Sequence, residues 1–377
     1  MQDKKETLAS VSIDEMLLAR LPIPLPQLHR RACNAKTRFE RHLTAFYLWE
    51  AALKLLSSVA IVEYASLADR DAGVVERLQN LACPSTGHWW EFARTLAPIL
   101  AGAQRKSFAG QANFLLGKGR RDLPQALALH AALGEALGDA GGSRQTVRVS
   151  DVFERLVRYR NREIGHGAAG RRTDAFYDAL GRTMLAGVSE ILAELDVLAG
   201  QRLIYVSSVR RQESGTWLVQ RYELIGAAPR RIESQELPET PAGRLPLPER
   251  VYLLPAGSPP APGGTAELSL LHPLVVYDPT AGDVAFLNAR RDAREVEYLS
   301  YTSGRVHRET LPDDHRELLT RVLGISVGDQ QLARWSEQSL AEQPAEASMP
   351  AQPAAAVRTL GEFELLSQIG RGGMGVV

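Results

Sequence analysis

The stretch IGRGGMGVV (369–377) has residue types and spacing suited to binding phosphate. Its glycines Gly370, Gly372 and Gly375, together with Val377, fit the pattern G-x-G-x-x-G-x-V. A Cβ atom at such glycines would hold the backbone amides away from phosphate oxygens. A strand-like segment, FELLSQI, precedes the glycines and two valines follow them, which favours a strand–loop–strand hairpin. A Rossmann dinucleotide site would instead open a helix at this point.

The longer segment GEFELLSQIGRGGMGVV resembles the start of the catalytic domain of bacterial eukaryotic-like Ser/Thr protein kinases. The resemblance covers about seventeen residues. It implies that ATP with Mg is the cofactor of the complete kinase and that proteins are its substrates. The implied ATP loop consists of Ile369, Gly370, Arg371, Gly372, Gly373, Met374, Gly375 and Val377.

The other kinase elements of that family, namely the β3 lysine, the αC glutamate, the HRD-type loop and the DFG metal site, have no counterpart in residues 1–377. We therefore expect this chain to be the amino-terminal part of a longer kinase. We expect the 377 residues alone to transfer no phosphate and to bind no cofactor.

A second stretch with chemical potential is SDVFERLVRYRNREIGHG (150–167), which contains Arg160, Asn161 and His166. At 100° per residue, Arg160 falls within the apolar stripe formed by Phe153 and Ile164. A buried guanidinium keeps its charge and needs an anionic or hydrogen-bonding partner. The pattern therefore predicts that Arg160 meets either a partner within the protein or a bound anion.

The order Arg-Asn…Gly-His-Gly resembles the R-x4–6-H signature of the HEPN superfamily. The resemblance implies an α-helical, often dimeric bundle, of which many members are metal-independent ribonucleases. By that resemblance His166 would be a general acid or base, Arg160 would clamp the scissile phosphate and Asn161 would orient one of them. The alternative is structural: Arg160 ties two helices together and His166 caps carbonyl groups. Both alternatives stay open at the level of sequence.

Hydrophobic periodicity divides the chain into four segments. Residues 1–200 follow a helical period, with a long amphipathic helix over 40–65, so we expect an α-helical domain, which the resemblance above implies is a HEPN-like bundle. Residues 201–330 change to a period of two with hairpin turns, which predicts a small β-rich α+β domain. Residues 331–357 are rich in Pro and Ala and predict a flexible linker. Residues 358–377 regain strand composition, and the resemblance to kinases implies that they are a truncated strand pair of a kinase N-lobe. The fold class is therefore multidomain.

Charge and composition limit the partners. The chain has 44 Lys and Arg and 44 Asp and Glu, so its formal net charge is zero. No field of the whole molecule favours nucleic acid, and RNA would need a local basic site. The two cysteines have no CxxC spacing and the histidines no metal-ligand spacing. No signal peptide or membrane span is predicted, so we expect a cytoplasmic protein without a membrane partner.

These observations predict the amino-terminal regulatory or sensing portion of a bacterial Ser/Thr protein kinase. The partners would be the protein substrates of that kinase and, through the helical segment, a second copy of the chain. One alternative is a HEPN-type RNA-cleaving defence or toxin module. Another is a non-catalytic adaptor that dimerises the kinase.

Overall fold

The computed structural model describes residues 15–82, 84–117, 122–139, 145–164, 172–239, 245–255, 268–290 and 295–310, and four two-residue strands between 359 and 376. His166 and the predicted linker 331–357 lie outside the described residues. In the described part, α-helices come first and antiparallel sheets follow, so the fold is mixed α+β.

The helices occupy the first 199 residues. Their bounds are α1 (Glu15–Arg20), α2 (Leu25–Cys33), α3 (Arg38–Ala65), α4 (Ala72–Leu78), α5 (Thr86–Gly102), α6 (Gln111–Leu116), α7 (Pro124–Ala136), α8 (Val149–Tyr159), α9 (Asp174–Ala193) and α10 (Asp196–Ala199). The Thr37 hydroxyl accepts a hydrogen bond from the Glu40 amide and so caps the start of α3. The long helix predicted from the apolar period over 40–65 is confirmed.

Helix α3 is the centre of the helical part and packs against α2, α5 and α9. It is the one described helix that is long and apolar enough to cross a membrane, with mean hydropathy 1.5 over its most apolar window. However, 94% of that window is buried inside the fold. Its apolar residues are therefore accounted for by the protein core. Gly181 lets α9 approach α3 closely, because a Cβ atom at this position would lie 3.0 Å from the backbone of His42 on α3.

The strands follow directly after α10. Their bounds are β1 (Gln201–Arg211), β2 (Trp217–Glu223), β3 (Arg230–Leu237), β4 (Arg250–Pro255), β5 (Ser269–Leu270), β6 (Val275–Asp278), β7 (Asp283–Arg290), β8 (Glu295–Leu299) and β9 (Val306–Thr310). They form an antiparallel five-stranded sheet in the order β3-β2-β1-β4-β5 and a four-stranded sheet in the order β6-β7-β8-β9. The predicted hairpins are confirmed, and Gly215 (φ 86°) supplies the left-handed residue between β1 and β2.

One buried cluster runs from the helices into the sheets. Along β1, Leu203 and Tyr205 face this cluster, while Ile204 and Val206 face a smaller cluster on the other side of the sheet. This alternation is the period of two expected for a strand. The predicted boundary at residue 200 thus coincides with the change from helix to strand, but the described residues on its two sides share one core.

The turn after β8 fixes the four-stranded sheet to the helices. Tyr301 is buried, and its ring centroid lies 5.3 Å from that of Tyr47 on α3. The Arg31 guanidinium donates a hydrogen bond of 2.5 Å to the carbonyl oxygen of Thr302. These long-range contacts hold the sheet at a defined place on α2 and α3.

Candidate functional site

The Gly-rich segment contains a short hairpin in the described residues. Strand β12 (Arg371–Gly372) pairs antiparallel with β13 (Gly375–Val376), in the register Arg371↔Val376 and Gly372↔Gly375. Before it, β10 (Thr359–Leu360) pairs with β11 (Phe363–Glu364), the start of the predicted strand FELLSQI. The remaining predicted loop residues lie outside the described part of the chain: Ile369, Gly370, Gly373, Met374 and Val377.

The second predicted site begins where α8 changes its geometry. The α-helix ends at Tyr159, and a π-helical turn spans Arg160–Ile164. Such wide turns occur mostly as single insertions and frequently at functional sites. The angle of 100° per residue therefore does not hold beyond Tyr159. Arg160 is half-buried rather than in the centre of a buried stripe, and Asn161 is exposed.

Glu163, inside the π-turn, is a buried residue that the sequence interpretation missed. It is 8% exposed and accepts two hydrogen bonds from Arg172, at 2.9 Å from Nη2 and 3.3 Å from Nε. Arg162 lies 3.6 Å from the same carboxylate. The hydrogen bonds from Arg172 lower the pKa of Glu163. This ion pair ties the π-turn to the residues that lead into α9.

His42 on α3 is the second group that was missed. Its Nε2 atom lies 3.1 Å from the Tyr159 hydroxyl, and its ring packs against Tyr159 and Tyr177. Burial lowers the pKa of His42 from 6.5 to about 4, with the charge of Glu163 opposing. The imidazole is therefore neutral near pH 7. Its Nδ1 atom is buried and has no hydrogen-bond partner within the part of the chain that the structure describes.

Arg160 has no hydrogen-bond or ion-pair partner among the described residues. Its charge nevertheless acts on the interior, because it lowers the pKa of Lys54 and opposes the rise in the pKa of Tyr301. Of the partners predicted for this guanidinium, an acidic side chain is not found in the part of the chain that the structure describes.

Lys54 and Glu50 are both buried where the helices meet the sheet. The Lys54 ammonium donates to the Leu287 carbonyl at 3.3 Å and lies 5.2 Å from the ring centre of Tyr301. Glu50, one helical turn away, accepts a hydrogen bond of 2.5 Å from the Thr86 hydroxyl. Burial lowers the pKa of Lys54 to about 8, and the charge of Glu50 opposes this shift.

Six arginines of the helical part pair with carboxylates, and one of them, Arg41, is buried. Three carboxylates are each held by two of them: Asp139 by Arg155 (3.4 Å) and Arg158 (2.8 Å), Glu163 by Arg162 (3.6 Å) and Arg172 (2.9 Å), and Asp178 by Arg41 (3.1 Å) and Arg182 (2.8 Å).

Direct contacts connect the ends of α7 and α8 with the π-turn and with α3. The Arg162 guanidinium donates to the Leu137 carbonyl at 2.7 Å, which joins the end of α7 to the π-turn. His42, next to Arg41, reaches Tyr159 at the end of α8. Beside Arg155 and Arg158, a cleft of about 260 Å³ is also lined by His130, Asp151 and Glu154. The charges in this cleft are mixed.

Among the described residues, no group of three or more His, Cys, Asp or Glu side chains is arranged to hold a metal ion. No protein-family model, no curated protein and no solved structure matches this chain.

Proposed function

We propose that the chain is the amino-terminal regulatory portion of a bacterial Ser/Thr protein kinase, located in the cytoplasm. The Gly-rich segment would bind the phosphates of ATP with Mg in the complete kinase, which would transfer the γ-phosphate to protein Ser and Thr. The observation that carries the proposal is the G-x-G-x-x-G-x-V pattern from Gly370 to Val377. The antiparallel pairing of Arg371–Gly372 with Gly375–Val376 supports it, because a kinase glycine loop joins two paired strands.

The coding sequence after Val377 tests this proposal first. An in-frame continuation with a V-A-x-K strand is expected, and a stop codon would refute the proposal. In the extended protein, Gly372→Val should reduce phosphate transfer from ATP to a protein substrate, because the new side chain displaces the loop from the phosphates. The matched control is Gly102→Ala at the end of α5, where a Cβ meets open space. It should leave transfer unchanged.

For residues 1–377 alone, we predict negligible ATP binding. The Gly-rich loop supplies amides for phosphate, but the lysine, the metal ligands and most of the adenine pocket of a kinase have no counterpart in this sequence. Isothermal titration of ATP with Mg²⁺ into the protein is expected to give no saturable heat. Micromolar binding would show that the chain contains a complete nucleotide site of another kind.

A second candidate function, RNA cleavage by a HEPN-like helical bundle, is favoured by one observation. The half-buried Arg160 has no partner within the described residues, and the exposed Asn161 stands next to it. A guanidinium in that situation is suited to clamp a phosphodiester. In this proposal His166 is the general acid or base, and the helical part pairs with a second copy of the chain. The alternative is that the helical part only dimerises the kinase.

Arg160→Ala and His166→Ala separate these alternatives. If the helical part cleaves RNA, both substitutions should abolish cleavage of a single-stranded RNA or toxicity on expression. Arg211→Ala is the matched control, since Arg211 is exposed and pairs with Glu239 on the five-stranded sheet. Absence of cleavage by the wild-type protein, with a dimer in sedimentation experiments, would favour the dimerisation adaptor.

A further inference from the structure

We infer that the cleft between α7 and α8 binds a small zwitterionic metabolite of the α-amino acid type, with its ammonium group toward Asp151 and Glu154 and its carboxylate toward Arg155 and Arg158. The cleft measures about 260 Å³, and these four side chains line it together with His130. The inference concerns the helical part and stands whether or not the parent protein is a kinase.

The four charged residues line the cleft from one face of α8. They lie at positions 151, 154, 155 and 158, and side chains three and four residues apart are neighbours on the surface of a helix. The other wall is α7, which packs against α8 and contributes His130. The lining residues are thus carried by two packed helices, which fixes their backbone positions.

The two signs of charge are separated along α8. The carboxylates of Asp151 and Glu154 come first, and the guanidinium groups of Arg155 and Arg158 follow. From Asp151 to Arg158 the helix rises by about 10 Å. This is roughly the length of two hydrogen bonds of about 3 Å each, together with the covalent bonds that separate the ammonium and carboxylate groups of an α-amino acid.

The neighbouring ion pairs leave this separation in place. On the basic side, Asp139 pairs with both arginines, at 3.4 Å from Arg155 and 2.8 Å from Arg158. On the acidic side, Arg94 lies 3.8 Å from Glu154, and both of these side chains are about half exposed. Counted over these groups and Asp151, the basic side has one more guanidinium than carboxylate, and the acidic side has one more carboxylate than guanidinium.

Arg155 is held in position by α7. Its Nη1 atom donates a hydrogen bond of 2.5 Å to the carbonyl oxygen of His130 and lies 3.2 Å from the Nδ1 atom of the same residue. The guanidinium group packs on Gly134, where a Cβ atom would lie 2.9 Å from Arg155 Cζ. Glycine inside a helix is less favourable than alanine, and here it makes room for this guanidinium. A cation that is already fixed loses little further freedom when it binds a carboxylate.

A ligand with a single sign of charge fits the cleft less well. An anion beside Arg155 and Arg158 would be repelled by Asp151 and Glu154, and a cation beside the two carboxylates would be repelled by the two arginines. A zwitterion meets the opposite charge at each of its ends. The size of the cleft also favours a single small metabolite, because clefts that hold drug-sized ligands measure about 300–1,000 Å³.

The test is isothermal titration calorimetry with L-alanine, L-leucine, L-glutamine and L-phenylalanine, which are zwitterions of different size. At least one of them is expected to bind residues 1–377 saturably. Its N-acetyl derivative lacks the ammonium group and its methyl ester lacks the carboxylate. Each derivative should bind at least about tenfold more weakly, as for one lost charge-assisted interaction. Binding of none of the four amino acids, or undiminished binding of either derivative, would overturn the inference.

Substitutions on α8 assign the two ends of the ligand. Asp151→Asn should weaken binding of the free amino acid by about tenfold but leave that of the N-acetyl derivative unchanged. Arg158→Gln should have the same effect relative to the methyl ester. A variant that merely perturbed the fold would weaken the free amino acid and the derivative alike, and this result in both variants would contradict the inference.

Matched controls come from other elements of the chain. Asp174→Asn removes an acidic residue from the first turn of α9, as Asp151→Asn does from the first turn of α8. Arg211→Gln removes an arginine that is 55% exposed and ion-paired, which matches Arg158 at 57%. Both controls should bind the amino acid as the wild type does. An equal loss of binding in the controls would show that the cleft is not the site.

Discussion

Replacement of Glu50 with alanine is expected to lower the free energy of unfolding by about 1–3 kcal/mol, the cost of leaving a buried polar group without its partner. Lys54 would then remain 97% buried without the carboxylate one turn away, since its side chain is only 3% exposed. The Thr86 hydroxyl would also lose the acceptor with which it forms a hydrogen bond of 2.5 Å. Urea denaturation at neutral pH measures the change.

The double variant Glu50→Ala with Lys54→Met is the control for this prediction. Methionine keeps an unbranched apolar side chain along Trp89 and Tyr301 but removes the charge. Because no isolated charge then remains in this contact, the double variant should be more stable than Glu50→Ala alone. If the two losses were simply additive, the two side chains would not be coupled, and this account of the contact between helices and sheet would be wrong.

Local patterns were sufficient to predict the elements of the fold. The apolar spacing in RFERHLTAFYLWEAALKLLSSVAIVEYA predicts helix α3, because the helical repeat of apolar residues lies entirely within the segment that forms the helix. The alternation of apolar and polar residues on both sides of the turn segments ESG and DPTAGD likewise predicts the hairpins β1–β2 and β6–β7. The shared core could not be predicted in this way. It depends on contacts such as Tyr47 with Tyr301, whose residues are distant in sequence and carry no common pattern.

The candidate site was predictable only in part for the same reason. The composition of RNREIGHG indicated a group of polar residues, and Arg160 and Asn161 do lie side by side. The π-turn is an insertion in the helix, and a helical wheel assumes that no such insertion occurs. The pairing of Glu163 with Arg172 and the contact of His42 with Tyr159 join separate helices, so neither follows from spacing along the chain.

Acidification from pH 6.5 to about 4 is expected to destabilise the protein through His42, whose pKa is lowered from 6.5 to about 4 by burial. The unfolded chain takes up a proton on this imidazole first, so the stability contributed by the neutral ring is complete above pH 6.5. It is lost progressively as the pH falls toward 4. A shift of this size corresponds to about 3 kcal/mol as an upper estimate. Urea denaturation at several pH values across this window gives the slope.

The variant His42→Gln isolates this contribution, because glutamine does not titrate and its amide can replace Nε2 as a partner of the Tyr159 hydroxyl. Carboxylates with lowered pKa values, such as Glu163 and Asp178, also lose stability in acid, but they titrate below their ordinary range in both proteins. The difference between wild type and His42→Gln therefore cancels the contribution of Asp178. It cancels that of Glu163 only in part, because the pKa of Glu163 is lowered mainly by Arg172, then by Arg162 and least by the charge of His42. The variant should lose markedly less stability than wild type between pH 6.5 and 4. Parallel pH profiles would mean that His42 is not held neutral between Tyr159 and Tyr177, and that the packing of α3 against the π-turn differs from the arrangement described.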